Sequence, residues 1–300
     1  MKRYSSMEKS VIYVSILAFM GFAGLITCLG LTATSDDSIV ANVQKETETI
    51  GITLNTKDGF VVNTTLNNLT TLTETDVSTM LSNAGLTSTN MIDIISVNLP
   101  SITTIGTAAS GVFLNAKSLT SVNFENLTSI TSTETFQGCQ SLKNVNMPKL
   151  QTISNSNTFN GCTSIESINF PSLTSITDSG VFQDCSVLKN VSLPKLTTVT
   201  GNSLFQSCHV LDSINLPSLT TLTSENAFTS CFELRSITLP NTATLNGGGA
   251  ATAIFKDCNR LGEGISTLTI NSASTNIVSN TGISQGRTAA SYSSGVITFG

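Results

Sequence analysis

The sequence predicts a β-rich solenoid of parallel strands, wound from turns of about 23 residues, behind an N-terminal transmembrane helix. Three observations predict it. Five cysteines, from Cys139 to Cys231, recur every 23 residues. A phenylalanine precedes each by three positions, with a strand-period apolar segment and a proline in the same register. Ahead of all this, no charge appears between Ser10 and Ser35.

Residues 1–9 carry Lys2, Arg3 and Lys9 against Glu8, and Val11 to Leu31 is strongly apolar. A helix of roughly 20 such residues spans a bilayer core. Positive charge before the span, with Asp36 and Asp37 after it, places the N-terminus inside and the remainder outside. The expectation is an uncleaved signal anchor over residues 10–35, because the apolar run exceeds an ordinary signal-peptide core. Two other readings stay open: cleavage near Ala33 to Ser35, and a degenerate lipobox at Leu25-Ile26-Thr27-Cys28. Each of them also exports the rest of the chain, to the cell surface or beyond.

Residues 36–90 read as an N-terminal cap, since a solenoid must cover its end turns. Ile50 to Leu54 and Phe60 to Val62 flank Lys57-Asp58-Gly59, a hairpin signal. Thr73-x-x-Asp76 opens a short helix through Met80 and Leu81, with Gly85 as its stop.

Residues 91–260 hold the repeats. A degenerate first turn, 91–118, contributes Val97 and Leu99, then Pro100 and Phe113. Regular blocks begin at Leu119, Leu142, Ile165, Leu188 and Leu211, and a longer one at Leu234. Their common pattern is L-x-x-[VI]-x-[LFM]-P-x-L-T-x-[IVL]-[TS]-x-x-x-x-F-x-x-C. A unit this short cannot bury its own apolar face, so the units must stack. Alternation turns Val191 and Leu193 inward and Asn190 and Ser192 outward. Pro148, Pro171, Pro194, Pro217 and Pro240 end the first strand, because proline donates no ladder hydrogen bond. A second extended piece buries Leu196 and Val199, and F-x-x-C returns as a turn. With strands about 4.8 Å apart, six or seven turns make a rod roughly 30–35 Å long.

These residues resemble the BspA-type leucine-rich repeats of bacterial and protist surface proteins, over about residues 91–260. The strand, the L-T-x-I segment and the F-x-x-C turn stand in the family's order. The chain departs from the family at Thr131, Ser154, Thr177, Thr200 and Thr223, where glycine is common, and keeps the alanine before phenylalanine only at Ala227. The resemblance implies a leucine-rich-repeat fold and a role in adhesion to host or matrix proteins. Beyond the repeats, residues 261–300 read as a C-terminal cap, with strands at Leu268 to Ile270 and Val296 to Phe299.

The chemistry-bearing residues favour structure over catalysis. Cys139, Cys162, Cys185, Cys208, Cys231 and Cys258 occupy one repeat position, without the C-x-x-C spacing of a zinc site. They read as a ladder of free buried thiols, since parallel Cβ vectors disfavour bridging, with isolated disulfides between adjacent members as the alternative. His209 is the single histidine and follows Cys208 in a variable loop column shared with Gln140, Thr163, Ser186 and Phe232. It has no evident catalytic partners. Gly247-Gly248-Gly249 lacks the lysine of a phosphate loop and marks an insertion. No enzymatic activity, cofactor or metal is expected. A net charge of −5 without a basic cluster argues against nucleic acid.

The exposed columns define the expected interaction surface. Asn144, Asn146, Asn169, Asn190 and Asn215 line a polar strand face that lacks the Trp, Tyr and Arg of typical hot spots. Beside them Lys143, Glu166, Lys189, Asp212 and Arg235 alternate in sign, a ladder expected to hold the turns in register. Four sequons, at Asn63, Asn68, Asn126 and Asn190, matter only in a glycosylating host. Two functions remain: adhesion or recognition of an extracellular protein or glycan, and self-association into a surface coat or filament. Ser175/Thr177, Thr198/Thr200 and Thr221/Thr223 resemble ice-binding arrays, but threonine simply suits strand surfaces.

Overall fold

A computed structural model describes residues 51–54, 69–83, 92–106, 111–240, 242–246, 254–261, 267–269, 291–293 and 296–298. These residues all belong to the unit Thr49–Gly300, one of two into which the chain divides. The expected membrane span, the second arm of the hairpin near Lys57 and the glycine-rich insertion lie outside them. Among the described residues no helix is long and apolar enough to cross a membrane.

Each turn contributes a first strand, three residues long in the regular blocks and five in Ile94–Asn98, and a second strand of two or three residues. The second strands form one continuous eight-stranded parallel sheet, from Thr71–Leu72 through Thr198–Val199 to Thr244–Asn246. Threonine reinforces it: the hydroxyls of Thr128, Thr174, Thr197 and Thr220 donate to a backbone carbonyl one turn back at 2.9–3.1 Å. The first strands divide into two four-stranded sheets, with the break between Asn144–Asn146 and Ser167–Asn169. At the N-terminal edge Gly51–Leu54 pairs antiparallel with Ile94–Asn98. This strand therefore covers the edge that an unfinished solenoid would expose.

Proline starts a turn as well as ending a strand. In Met147-Pro148-Lys149-Leu150 the Leu150 N–H donates to Met147 O at 3.2 Å, and the same bond recurs at Leu173, Leu196 and Leu219. Proline's fixed φ suits the second position of such a turn. The helix Glu74–Asn83 opens on the expected cap: Thr73 N–H donates to Asp76 Oδ2 at 2.8 Å, and Asp76 N–H to Thr73 Oγ1 at 3.3 Å. Its Val77, Met80 and Leu81 join the core of the repeats. Farther along, Thr267–Thr269, Val296–Thr298 and Ser291–Ser293 form an antiparallel three-stranded sheet.

The core is a column of stacked side chains. Phe113, Phe136, Phe159, Phe182, Phe205, Phe228 and Phe255 are buried, with successive centroids 5.3–5.6 Å apart and planes within 18° of parallel. Such pairs contribute about 0.5–1.5 kcal/mol each beyond their burial. Leu193 is buried as expected, whereas Val191 and Val145 are only partly so; Val97, Val122 or isoleucine fills the equivalent space in other turns.

Candidate functional site

The cysteine ladder is part of the core. All six thiols are free and buried. Each donates its S–H to the phenylalanine carbonyl of the preceding turn, from Cys139 to Phe113 O at 3.2 Å through Cys258 to Phe228 O at 3.0 Å. Burial pushes the thiols of Cys139, Cys185 and Cys231 up to about 12, and those of Cys162, Cys208 and Cys258 also well above the ordinary value. Thiols held neutral in this way are poor nucleophiles and poor metal ligands. Among the described residues no group of His, Cys, Asp or Glu is placed to hold a metal ion.

The strand face carries the asparagines outward. Asn144, Asn146, Asn169, Asn190 and Asn215 are all exposed. An amide ladder links Asn123 Nδ2 to Asn98 Oδ1 at 2.8 Å and Asn146 Nδ2 to Asn123 Oδ1 at 2.5 Å. It ends at Asn146, where the first-strand sheet also breaks. These amides spend hydrogen-bonding capacity on one another, which leaves less for a ligand.

The charged column closes at one end only. Arg235 forms an ion pair with Asp212 and lies 3.6 Å from Glu233, which also takes Arg260 at 2.5 Å. Lys143, Glu166 and Lys189 are exposed and, among the described residues, stand in no ion pair within 4.0 Å. Against the expectation of a continuous ladder, opposite charges in adjacent turns do not suffice. A lysine ammonium gains little by leaving water, whereas the Arg235 guanidinium reaches two carboxylates at once.

This network borders a stripe of exposed apolar residues. Val187 and Val210 follow the cysteine turns at one repeat position, where earlier turns have Ser118, Ser141 and Ser164. They are 38% and 39% exposed, and Phe232 in the neighbouring column is 40% exposed. His209 lies in the turn after Cys208, as its column predicted, and its ring stacks on Phe232, centroids 5.0 Å apart and 15° from parallel. Lys189, Val210, Asp212, Glu233 and Arg235 line an open depression of about 340 Å³ beside the stripe. Aromatic, aliphatic and arginine side chains thus meet on a repeat surface rich in Ser, Thr and Asn. That is the composition of a recognition patch.

The repeat geometry accords with a match to the BspA type Leucine rich repeat region, six copies over residues 106–234, 132–261 and 179–292. The chain belongs to the BspA-type leucine-rich repeat family. No curated protein matches it. Solved structures that align with this BspA-type chain include the T. pallidum leucine-rich repeat protein, at 24% identity over 57% of this chain and 79% of that one, TM-score 0.49. A leucine rich cell surface protein of Faecalibacterium prausnitzii A2-165 aligns at 26% identity over 58% and 44%, TM-score 0.33. A leucine-rich repeat protein of Bacteroides ovatus ATCC 8483 aligns at 19% over 56% and 69%, TM-score 0.29.

Of the residues singled out in the sequence, the fold brings Lys189, Asp212 and Arg235 to one depression and leaves Lys143 and Glu166 outside it. It adds Val187, Val210, Phe232, Glu233 and Arg260. A signal for them was present: read down the columns after the cysteine, polar residues give way to apolar, aromatic and charged ones from Val187 onward.

Proposed function

We propose that this chain is a recognition protein held outside the cytoplasm by an N-terminal anchor over residues 10–35, binding an extracellular protein or glycan through the C-terminal half of its repeats. One observation carries the reading. The exposed Val187, Val210 and Phe232 stand beside the Asp212–Arg235–Glu233–Arg260 network, on a surface otherwise rich in uncharged hydroxyls and amides. The scaffold asks nothing of these side chains, since serine and threonine serve in the same columns elsewhere. Membership in the BspA-type family and the charge asymmetry around the apolar N-terminal stretch support display outside the cell.

The test uses cells carrying the full chain, scored for attachment to immobilised matrix proteins and glycans. Val210→Ser with Phe232→Ser is expected to abolish attachment, while Asn144→Ala with Asn190→Ala on the strand face leaves it intact. The reverse pattern would move the site to the strand face. Protease added to intact cells should remove an epitope near residue 300, and full protection would overturn the topology.

The uncharged eight-stranded face, with Thr177, Thr200 and Thr223 exposed, favours a second reading as a self-assembling coat subunit. Sedimentation of the full chain in detergent separates the two. Polymers that grow with concentration support assembly, and a discrete species supports recognition.

A further inference from the structure

We infer that the protein bound by the C-terminal patch is a second copy of this chain, lying antiparallel across a two-fold axis that passes between the Val187 and Val210 turns. This rests on the recognition reading above and names the extracellular protein that the patch takes.

Charge carries the inference first. Glu166, Lys189, Asp212 and Arg235 immediately precede Ser167–Asn169, Asn190–Ser192, Ser213–Asn215 and Ser236–Thr238, the four strands of one parallel sheet. Along the rod their signs run negative, positive, negative, positive, one strand spacing or about 4.8 Å apart. An alternating row of four carries the opposite sign at every position when read from its other end. A second copy turned end for end therefore sets Lys189 against the partner's Asp212 and Glu166 against the partner's Arg235, each contact occurring twice. Lys189 and Glu166 are exposed and reach such a partner without rearrangement of the strands. The depression itself, with two lysine or arginine cations and two carboxylates, favours neither a purely acidic nor a purely basic ligand but complements its own reverse.

Apolar surface has the same centre. The column three residues ahead of these strands reads Ser164, Val187, Val210, Glu233. Its two valines are exposed and flank the midpoint of the four-stranded sheet. The axis that pairs the charges thus lays Val187 on the partner's Val210, and sets the Ser164 hydroxyl against the partner's Glu233 carboxylate. Parallel copies fit less well. At equal height like charges face each other. Shifted by one turn the charges pair, but Val210 then meets a glutamate, and the contact propagates into an open fibre instead of closing as a dimer. Antiparallel rods also carry the N-terminal ends of their repeats to opposite sides, as copies displayed on facing cells would.

The experiment mixes donor-labelled and acceptor-labelled pools of the full-length chain in detergent micelles, reading energy transfer for association and sedimentation for size. The unaltered chain is expected to form a dimer that weakens as salt rises. Lys189→Glu sets like charges together at both symmetric contacts, and so does Asp212→Lys, so each variant alone should self-associate about tenfold or more weakly. Mixed with one another, the two variants regain an opposite charge at both contacts, and energy transfer should return to near the unaltered level. That recovery also excludes misfolding as the cause of the separate losses. Lys143→Glu, beyond the break in the first-strand sheet, should leave the dimer unchanged. Absence of a dimer, polymers that grow with concentration, or no recovery on mixing would overturn the inference. If no dimer forms while Val210→Ser with Phe232→Ser still abolishes attachment to matrix proteins or glycans, the patch takes a foreign ligand, and the recognition reading stands without the second copy.

Discussion

The thiol of Cys162 donates to the carbonyl oxygen of Phe136 at 3.1 Å, and the same oxygen accepts the N–H of Cys139 at 3.2 Å. One carbonyl thereby joins a turn to itself and to the next turn. The arrangement repeats along the rod, so the recurring cysteine is a small apolar side chain that also fills a hydrogen-bonding requirement.

An alkaline limit on stability follows from the ladder. Folded Cys139, Cys185 and Cys231 titrate near 12, while unfolded thiols titrate near about 8.5. Between these values the folded state holds protons the unfolded state has lost. The stabilisation is complete below the unfolded pKa and is lost as pH rises through the folded one. Thermal melts should fall steadily from about pH 9 toward pH 12, and replacing Cys139, Cys185 and Cys231 by alanine should flatten that slope. An unchanged slope in the variant would refute the account.

The phenylalanine column makes a second prediction. Phe182→Ala, in the middle of the stack, should cost about 3–5 kcal/mol. His209→Ala removes only a surface stack and should stay within about 0.5 kcal/mol. Indistinguishable melting temperatures for the two variants would contradict the packing described.

Backbone conformation makes a third. The residue before each cysteine has positive φ, from Gly138 at 71° and Gly161 at 70° to Asp184 at 57°, Ser207 at 61° and Ser230 at 60°. Side chains other than Gly, Asn and Asp are costly there. Ser207→Gly should therefore stabilise by about 0.5–1 kcal/mol, the left-handed penalty less the entropy glycine loses on folding. Gly180, at φ 69°, is the opposite case, because an added side chain would be held in the left-handed region and its Cβ would also have to push aside the end of the Asn157 side chain, 2.3 Å away. Gly180→Ala should lower the denaturation midpoint clearly. A neutral result would show that this turn relaxes.

The charged column makes a fourth. Among the described residues Glu166 stands in no ion pair, so Glu166→Lys adds repulsion between exposed lysines and should cost at most about 1 kcal/mol, shrinking in high salt. Asp212→Lys breaks the pair with Arg235 and should cost more than Glu166→Lys at low salt. Equal penalties for the two reversals would mean that the column acts as a uniform field.

The sequence by itself determined the repeat. Period, inward residues, strand-ending prolines and the buried thiol ladder were legible because each turn meets neighbours nearly identical to itself. A side chain's environment in such a solenoid is its own column, and a column can be read from one chain. Only the tertiary structure decided what depends on angle and reach across turns. It paired Asp212 with Arg235 but gave Glu166 no ion partner among the described residues, stacked His209 on Phe232, broke the first-strand sheet after Asn146, and put Ser207 and Ser230 in the left-handed region. Residues in one column share a position in sequence, but whether two of them touch depends on rotamers and strand spacing of a few ångströms, which the repeat period does not specify.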